Sequence, residues 1–152
     1  FSADGRYVII FNGEVYNFRE IAAELKQKHK TIFKTSSDTE VVLEAYAQYG
    51  PEFVQKLNGM FAIAIFDKQK NELFICRDRI GIKPLYYFWD GANFAFASEL
   101  KALTKASFIP LELNRNAIYQ FLHLGFIPAP QSIYQSIKKL DSGTWLKISK
   151  NT

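Results

Sequence analysis

Apolar residues along this chain recur in two periods. Tyr7-Val8-Ile9-Ile10-Phe11 is a continuous apolar run of strand length, as expected of a buried strand. Met60-Phe61-Ala62-Ile63-Ala64-Ile65-Phe66 is a second, with small residues alternating against large ones. A polar turn over 67–71 leads into Glu72-Leu73-Phe74-Ile75-Cys76-Arg77-Asp78, the return strand of a hairpin. Residues 85–89 and 93–97 flank Asp90-Gly91 and predict another hairpin. Helical spacing takes over elsewhere: Ile21, Ala22 and Leu25 share one face, and so do Val41, Val42, Ala45 and Tyr46. Asn17 and Ser37 stand where those helices would begin, each with a Glu three residues on, the spacing of a capping box. A short helical piece around 53–57 ends at Asn58-Gly59, another helix starts at Ser98, and Asn114 caps one through about His123, which Pro128 and Pro130 close. Thr31 to Thr35 reads as a short strand, Asn12-Gly13 as a tight turn ending the first strand, and 144–148 as a final strand. Helices come early and hairpins in the middle, so the class is α+β rather than alternating βαβ.

Composition narrows this little further. With 48% apolar and 16% aromatic residues in 152, the chain can bury one real core and is neither disordered nor fibrous. No apolar run approaches the ~18 residues of a membrane span, and the N-terminus carries no signal pattern. A single Cys cannot form an internal disulfide, so a cytoplasmic setting is expected. Residues 1–100 hold 12 basic and 13 acidic side chains, whereas 101–152 hold 7 and 2. The lysines of that basic third are scattered among apolar residues, which fits a solvated surface and argues against nucleic acid as partner.

Three segments could carry chemistry. Asn12 and Gly13, at the end of a buried strand, offer a side-chain amide and an approachable backbone N–H, the two donors an oxyanion hole needs, although Asn-Gly is also a common turn. Asp38 opens a helix, where it either favours the helix start or accepts from a ligand's ammonium. Arg77 to Tyr87 alternates charges before Gly81 and Pro84, a loop suited to a ligand or to positioning the next strand. One Cys and two distant His, His29 and His123, make no zinc site, and no GxxxxGK phosphate loop is present.

Taken together the segments are far more specific. Phe11-Asn12-Gly13-Glu14-Val15-Tyr16-Asn17, Ser37-Asp38-Thr39-Glu40, Leu57-Asn58-Gly59-Met60-Phe61-Ala62, Arg77-Asp78-Arg79-Ile80-Gly81-Ile82-Lys83-Pro84-Leu85-Tyr86 and Ala97-Ser98-Glu99-Leu100-Lys101-Ala102-Leu103 occur in the order of five motifs of the class II glutamine amidotransferases. The chain resembles the asparagine synthetase (glutamine-hydrolysing) branch of that family. Leu140-Asp141-Ser142-Gly143 departs from the "LPPG" common there.

The resemblance implies a four-layer αββα N-terminal-nucleophile hydrolase sandwich, expected here without its N-terminal strands. Residues 1–105 would be the glutaminase domain, N-terminally truncated. Residues 106–152 would be its end and the lead-in to a synthetase domain not present here. Asn12 and Gly13 would form the oxyanion hole, and Gly13, Glu14 and Asp38 would hold glutamine. The family nucleophile is an N-terminal Cys whose own amino group serves as base, but residue 1 here is Phe. The expectation is therefore a glutamine-hydrolysing family and an inactive fragment, the alternative being a catalytically dead glutaminase-like binding or regulatory module. No cofactor is expected in this domain, ATP and Mg belonging to the synthetase domain. Glutamine and that synthetase domain are the expected partners, and a homodimer is left open.

Overall fold

The computed structural model describes residues 1–149; Lys150 to Thr152, the end of the 106–152 segment, lie outside the described residues. In chain order the elements are β1 (Tyr7–Val15), α1 (Phe18–His29), α2 (Asp38–Tyr49), a 3-10 helix (Gly50–Lys56), β2 (Gly59–Asp67), β3 (Glu72–Arg77), β4 (Tyr86–Trp89), β5 (Phe94–Ala97), α3 (Leu100–Leu103), α4 (Arg115–Leu124), β6 (Ile137–Lys139) and β7 (Trp145–Ser149). They build two antiparallel sheets, ordered β1-β2-β3-β7 and β5-β4-β6. The segment after residue 105 thus adds a strand to each sheet.

The period-two pattern sorts side chains between layers. Large residues of the first sheet, including Phe11, Val15, Phe61, Ile63, Ile65 and Phe74, face α1 and α2 and meet Leu25, Val42 and Tyr46. On the opposite face the small Ala62 and Ala64 let the second sheet approach, where Leu85 and Leu140 are buried and Tyr87, Phe94 and Phe96 pack against them. Beyond that sheet, Phe88 and Ile137 pack under Leu103 of α3 and Ile109. The order helix, sheet, sheet, helix is the four-layer αββα arrangement. Helix α4 lies outermost: Ala117 is fully buried, while Tyr119 and Leu122 are 74% and 79% exposed.

Local expectations fare unevenly. Ser37 caps α2 through its hydroxyl, which accepts from the Glu40 N–H at 3.3 Å, and Asn114 caps α4 through its amide oxygen, which accepts from the Ala117 N–H at 3.2 Å. The second half of the capping box at α2 is not made. Glu40 instead accepts from the N–H groups of Lys34 and Thr35, at 2.8 and 2.7 Å. That clamp holds 31–35 as a loop, not a strand. Asn17 gives α1 no side-chain cap. Its amide bridges instead to β2's approach, donating to Lys56 O and accepting from the Asn58 N–H, both at 2.9 Å.

The largest difference lies at Asn12-Gly13, which is no turn. Strand β1 runs straight through to Val15, with Asn12 opposite Ala62 and Gly13 opposite Phe61. Glycine is needed there because β2 lies too close for a side chain: a Cβ on Gly13 would overlap Met60 O and the Phe61 Cα, and its φ is +149°.

Candidate functional site

Among the described residues strand β1 is the edge of its sheet, so half of its backbone groups face no strand. The ladder's phase decides which half. The Phe61 N–H donates to the Asp78 carboxylate at 3.2 Å, and Phe61 O accepts from the Asp78 N–H at 2.8 Å. Both polar groups of Phe61 therefore point away from β1, and Gly13 opposite it forms a non-hydrogen-bonded pair. The Gly13 N–H and C=O project off the open edge. The Val15 N–H, two residues along, projects the same way, and there it meets the Asp38 carboxylate at 3.1 Å.

This geometry gathers residues far apart in sequence. Asp38 stands at the first turn of α2, half-buried, with one oxygen on Val15 and the other 3.5 Å from the Thr39 hydroxyl. At the strand rise of about 3.3 Å per residue, Asp38's anchor lies roughly 6–7 Å along the edge from Gly13. Asn12 and Glu14 alternate onto the inter-sheet face beside it, Asn12 half-buried and Glu14 exposed. Among the described residues neither side chain has a hydrogen-bond partner. Asn12, Gly13, Glu14 and Asp38 thus meet at one corner, where the edge of β1 joins its inter-sheet face. This corner presents a backbone N–H that is unpaired among the described residues, an amide and two carboxylates.

The Arg77–Tyr87 segment does not join it. The Arg77 guanidinium is spent on carbonyls, donating to Lys83 O, Leu140 O and Gly81 O, each at 2.7 Å. Asp78, 1% exposed, gathers the N–H groups of Ile80, Gly81, Ile82 and Lys83 beside that of Phe61. Burial pushes its carboxyl up, but these donors outweigh it and the net direction is down. Cys76 sits 2% exposed among the helix-facing core residues, and burial pushes its thiol well up. That environment suits an inert core residue. His29 stacks edge-on against Tyr49 and His123 lies exposed on α4. The Asn17 bridge and Asp78 were not legible as supports of the corner, because their partners lie 39–41 and 17 residues away.

Clefts lie elsewhere. One of about 410 Å³ opens between α1 and the loop at Phe33–Ser36, and one of about 130 Å³ lies between Phe61, Cys76 and Trp145. Neither is lined by Asn12, Gly13, Glu14 or Asp38. Donors and carboxylates distinguish the corner.

The glutamine amidotransferase domain family matches residues 1–152. The chain belongs to that family. It is 42% identical over 145 residues to asparagine synthetase [glutamine-hydrolyzing] 1 of Bacillus subtilis, covering 95% of this chain and 23% of that protein. To asparagine synthetase [glutamine-hydrolyzing] 2 of the same organism it is 40% identical over 154 residues, covering 98% and 20%. This amidotransferase domain is thus of the asparagine synthetase type, and it spans about a quarter or less of the curated relatives it matches. Among solved structures, the glutamine phosphoribosylpyrophosphate amidotransferase of Bacillus subtilis superposes with a TM-score of 0.58 at 25% identity, over 68% of this chain and 24% of that one. An allosteric regulatory enzyme of purine biosynthesis does so with a TM-score of 0.63 at 22% identity, over 94% and 26%. The fold is that of the N-terminal-nucleophile hydrolases. No helix among the described residues is long and apolar enough to cross a membrane.

Proposed function

We propose that this domain binds glutamine at the β1 corner and orients it for hydrolysis to glutamate and ammonia. The Gly13 N–H and the Asn12 amide donate to the side-chain carbonyl oxygen of glutamine. Asp38, with Glu14 beside it, accepts from the α-ammonium. The observation that carries this reading is the Gly13 N–H, aimed off an open strand edge two residues from the Asp38 anchor. A donor fixed by the sheet pays no reorganisation when the carbonyl oxygen turns negative, which is what stabilises a tetrahedral intermediate.

The chemistry needs a thiol that attacks the amide carbon, expels ammonia and leaves a thioester, which water then cleaves. By the family resemblance that thiol belongs to an N-terminal Cys. The 152 residues hold one thiol, Cys76, buried and facing the helices. Cys76 therefore does not supply that thiol to the corner. In a longer protein of this type the released ammonia feeds an ATP- and Mg-dependent synthetase domain.

Calorimetric titration of 1–152 with glutamine tests the binding, alongside an ammonia assay. Saturable binding that Asn12→Ala weakens, with no ammonia released, is expected. Absence of binding, or ammonia release that survives Cys76→Ala, overturns the assignment.

A further inference from the structure

We infer that Asp78 is the positioning residue for the Gly13 donor, acting through Phe61; the inference rests on the glutamine reading above. Strand β3 ends at Arg77, so among the described residues no strand continues the ladder at Phe61 on that side of β2. Asp78 takes its place. Its backbone N–H holds Phe61 O, and its carboxylate holds the Phe61 N–H. The same carboxylate binds four successive N–H groups from Ile80 to Lys83, which turn the chain away from the sheet. Phe61 is thereby locked facing β3. Gly13, packed onto the Met60–Phe61 backbone with no room for a Cβ, takes its position and orientation from it.

A buried aspartate with five backbone donors could serve only to fold its own loop. The placement argues for more. The donor outside that loop is the N–H of the residue directly across from Gly13, and losing its acceptor would orphan a buried N–H at that point. Asp78 makes no contact with the corner itself, so its effect on a ligand runs through Phe61 and Gly13 alone.

The test follows the Gly13 amide resonance of ¹⁵N-labelled 1–152 during a glutamine titration, in the wild type and in Asp78→Asn. The wild-type Gly13 resonance should move on saturation. In Asp78→Asn, at a temperature where its other resonances are native-like, that movement should shrink. The glutamine dissociation constant should rise roughly three- to tenfold, the value of one misplaced hydrogen bond. A variant that melts lower yet keeps both the Gly13 response and the affinity would make Asp78 a loop residue and overturn the inference. A wild-type Gly13 resonance untouched by glutamine would instead sink the glutamine reading itself. Should Asp78→Asn not fold, amide exchange on the wild type decides. The Phe61 amide should be protected and the free Gly13 amide should exchange readily, slowing with glutamine. A Phe61 amide exchanging as fast as that of Gly13 would show that Asp78 does not hold it.

Discussion

The Asp38 carboxylate accepts the Val15 N–H at 3.1 Å, tying the first residue of α2 to the last residue of β1. This bond satisfies an edge N–H of a fully buried residue that β2 does not reach. It also fixes a negative charge beside the strand that carries Asn12 and Gly13. Because Ser37 caps α2, Asp38 is free of that duty. Its charge still favours the helix start, worth about 0.3–1 kcal/mol at an exposed position.

Replacing Asp38 by Asn separates support from recognition. The Asn carbonyl can still accept from Val15, so the melting temperature should change little. The charge-assisted bond to the ligand ammonium is lost, and glutamine should bind more than about tenfold more weakly, since such bonds contribute about 1.5–3 kcal/mol. Paired calorimetric and thermal measurements read both. Equal affinities with a lowered melting temperature would leave Asp38 a structural residue.

Much of this fold is legible one segment at a time. The large-small alternation of Met60 to Phe66 already separates a helix-facing from an inter-sheet face, and Ser37 marks the start of α2. What misleads is residue chemistry with a long-range cause. Gly13 looks like a turn glycine, but its reason is the backbone of Met60 and Phe61. Asn17 looks like a cap, but it spends its amide on Lys56 and Asn58. The three-residue β6 is too short for any periodicity to announce. At the corner, Asn12, Glu14 and Asp38 are nameable from motif resemblance. That the Gly13 N–H is free follows only from the ladder phase, which needs the register against β2.

Stability should fall on acidification. Glu24 is held down to about 2, from 4.5, by hydrogen bonds from Lys28 and Lys56. Asp67 is held below its ordinary 3.8 by the Arg6 guanidinium, with help from the N–H groups of Lys70 and Gln69. Asp78 is shifted the same way. A depressed carboxyl contributes stability that is complete above its unfolded value and is lost as pH falls through the folded one. The melting temperature should therefore hold near neutrality and drop between about 4.5 and about 2. Asp67→Asn should lower stability at pH 7 and flatten that acid limb. Melting curves across the range check both, and an unchanged acid limb would remove Asp67 from the account.

Cys76 should resist modification while the protein is folded. Its thiol is 2% exposed, and burial favours the protonated form, so the thiolate that reagents require is scarce. Labelling by a disulfide reagent should follow global unfolding, rising with denaturant along the same curve as circular dichroism. Rapid labelling in native buffer would place the thiol at the surface.

Three glycine-to-alanine changes separate backbone strain from collision, and they bear on how the Gly13 donor is held. Gly91 has φ +97° and open space around a Cβ, so Gly91→Ala adds strain alone, about 1 kcal/mol. Gly59 has no such φ, but its Cβ would overlap Glu14 O and approach the Val15 Cα, so Gly59→Ala adds collision alone. Gly13 combines φ +149° with overlap of Met60 O. Gly13→Ala should cost about 2–5 kcal/mol, the sum of strain and overpacking. At the usual few degrees per kcal/mol for a chain of this size, that lowers melting by roughly 5–20 °C. The expected order of destabilisation is Gly13, then Gly59, then Gly91. Gly59→Ala has a further consequence. Gly59 pairs with Val15, so pushing the strands apart there moves the Asp38 anchor, and glutamine should bind more weakly although no ligand contact is removed. Gly91→Ala, at the β4–β5 turn, should leave affinity unchanged. If Gly59→Ala destabilises as expected and binds glutamine as the wild type does, the close approach of β1 and β2 serves the fold and not the site.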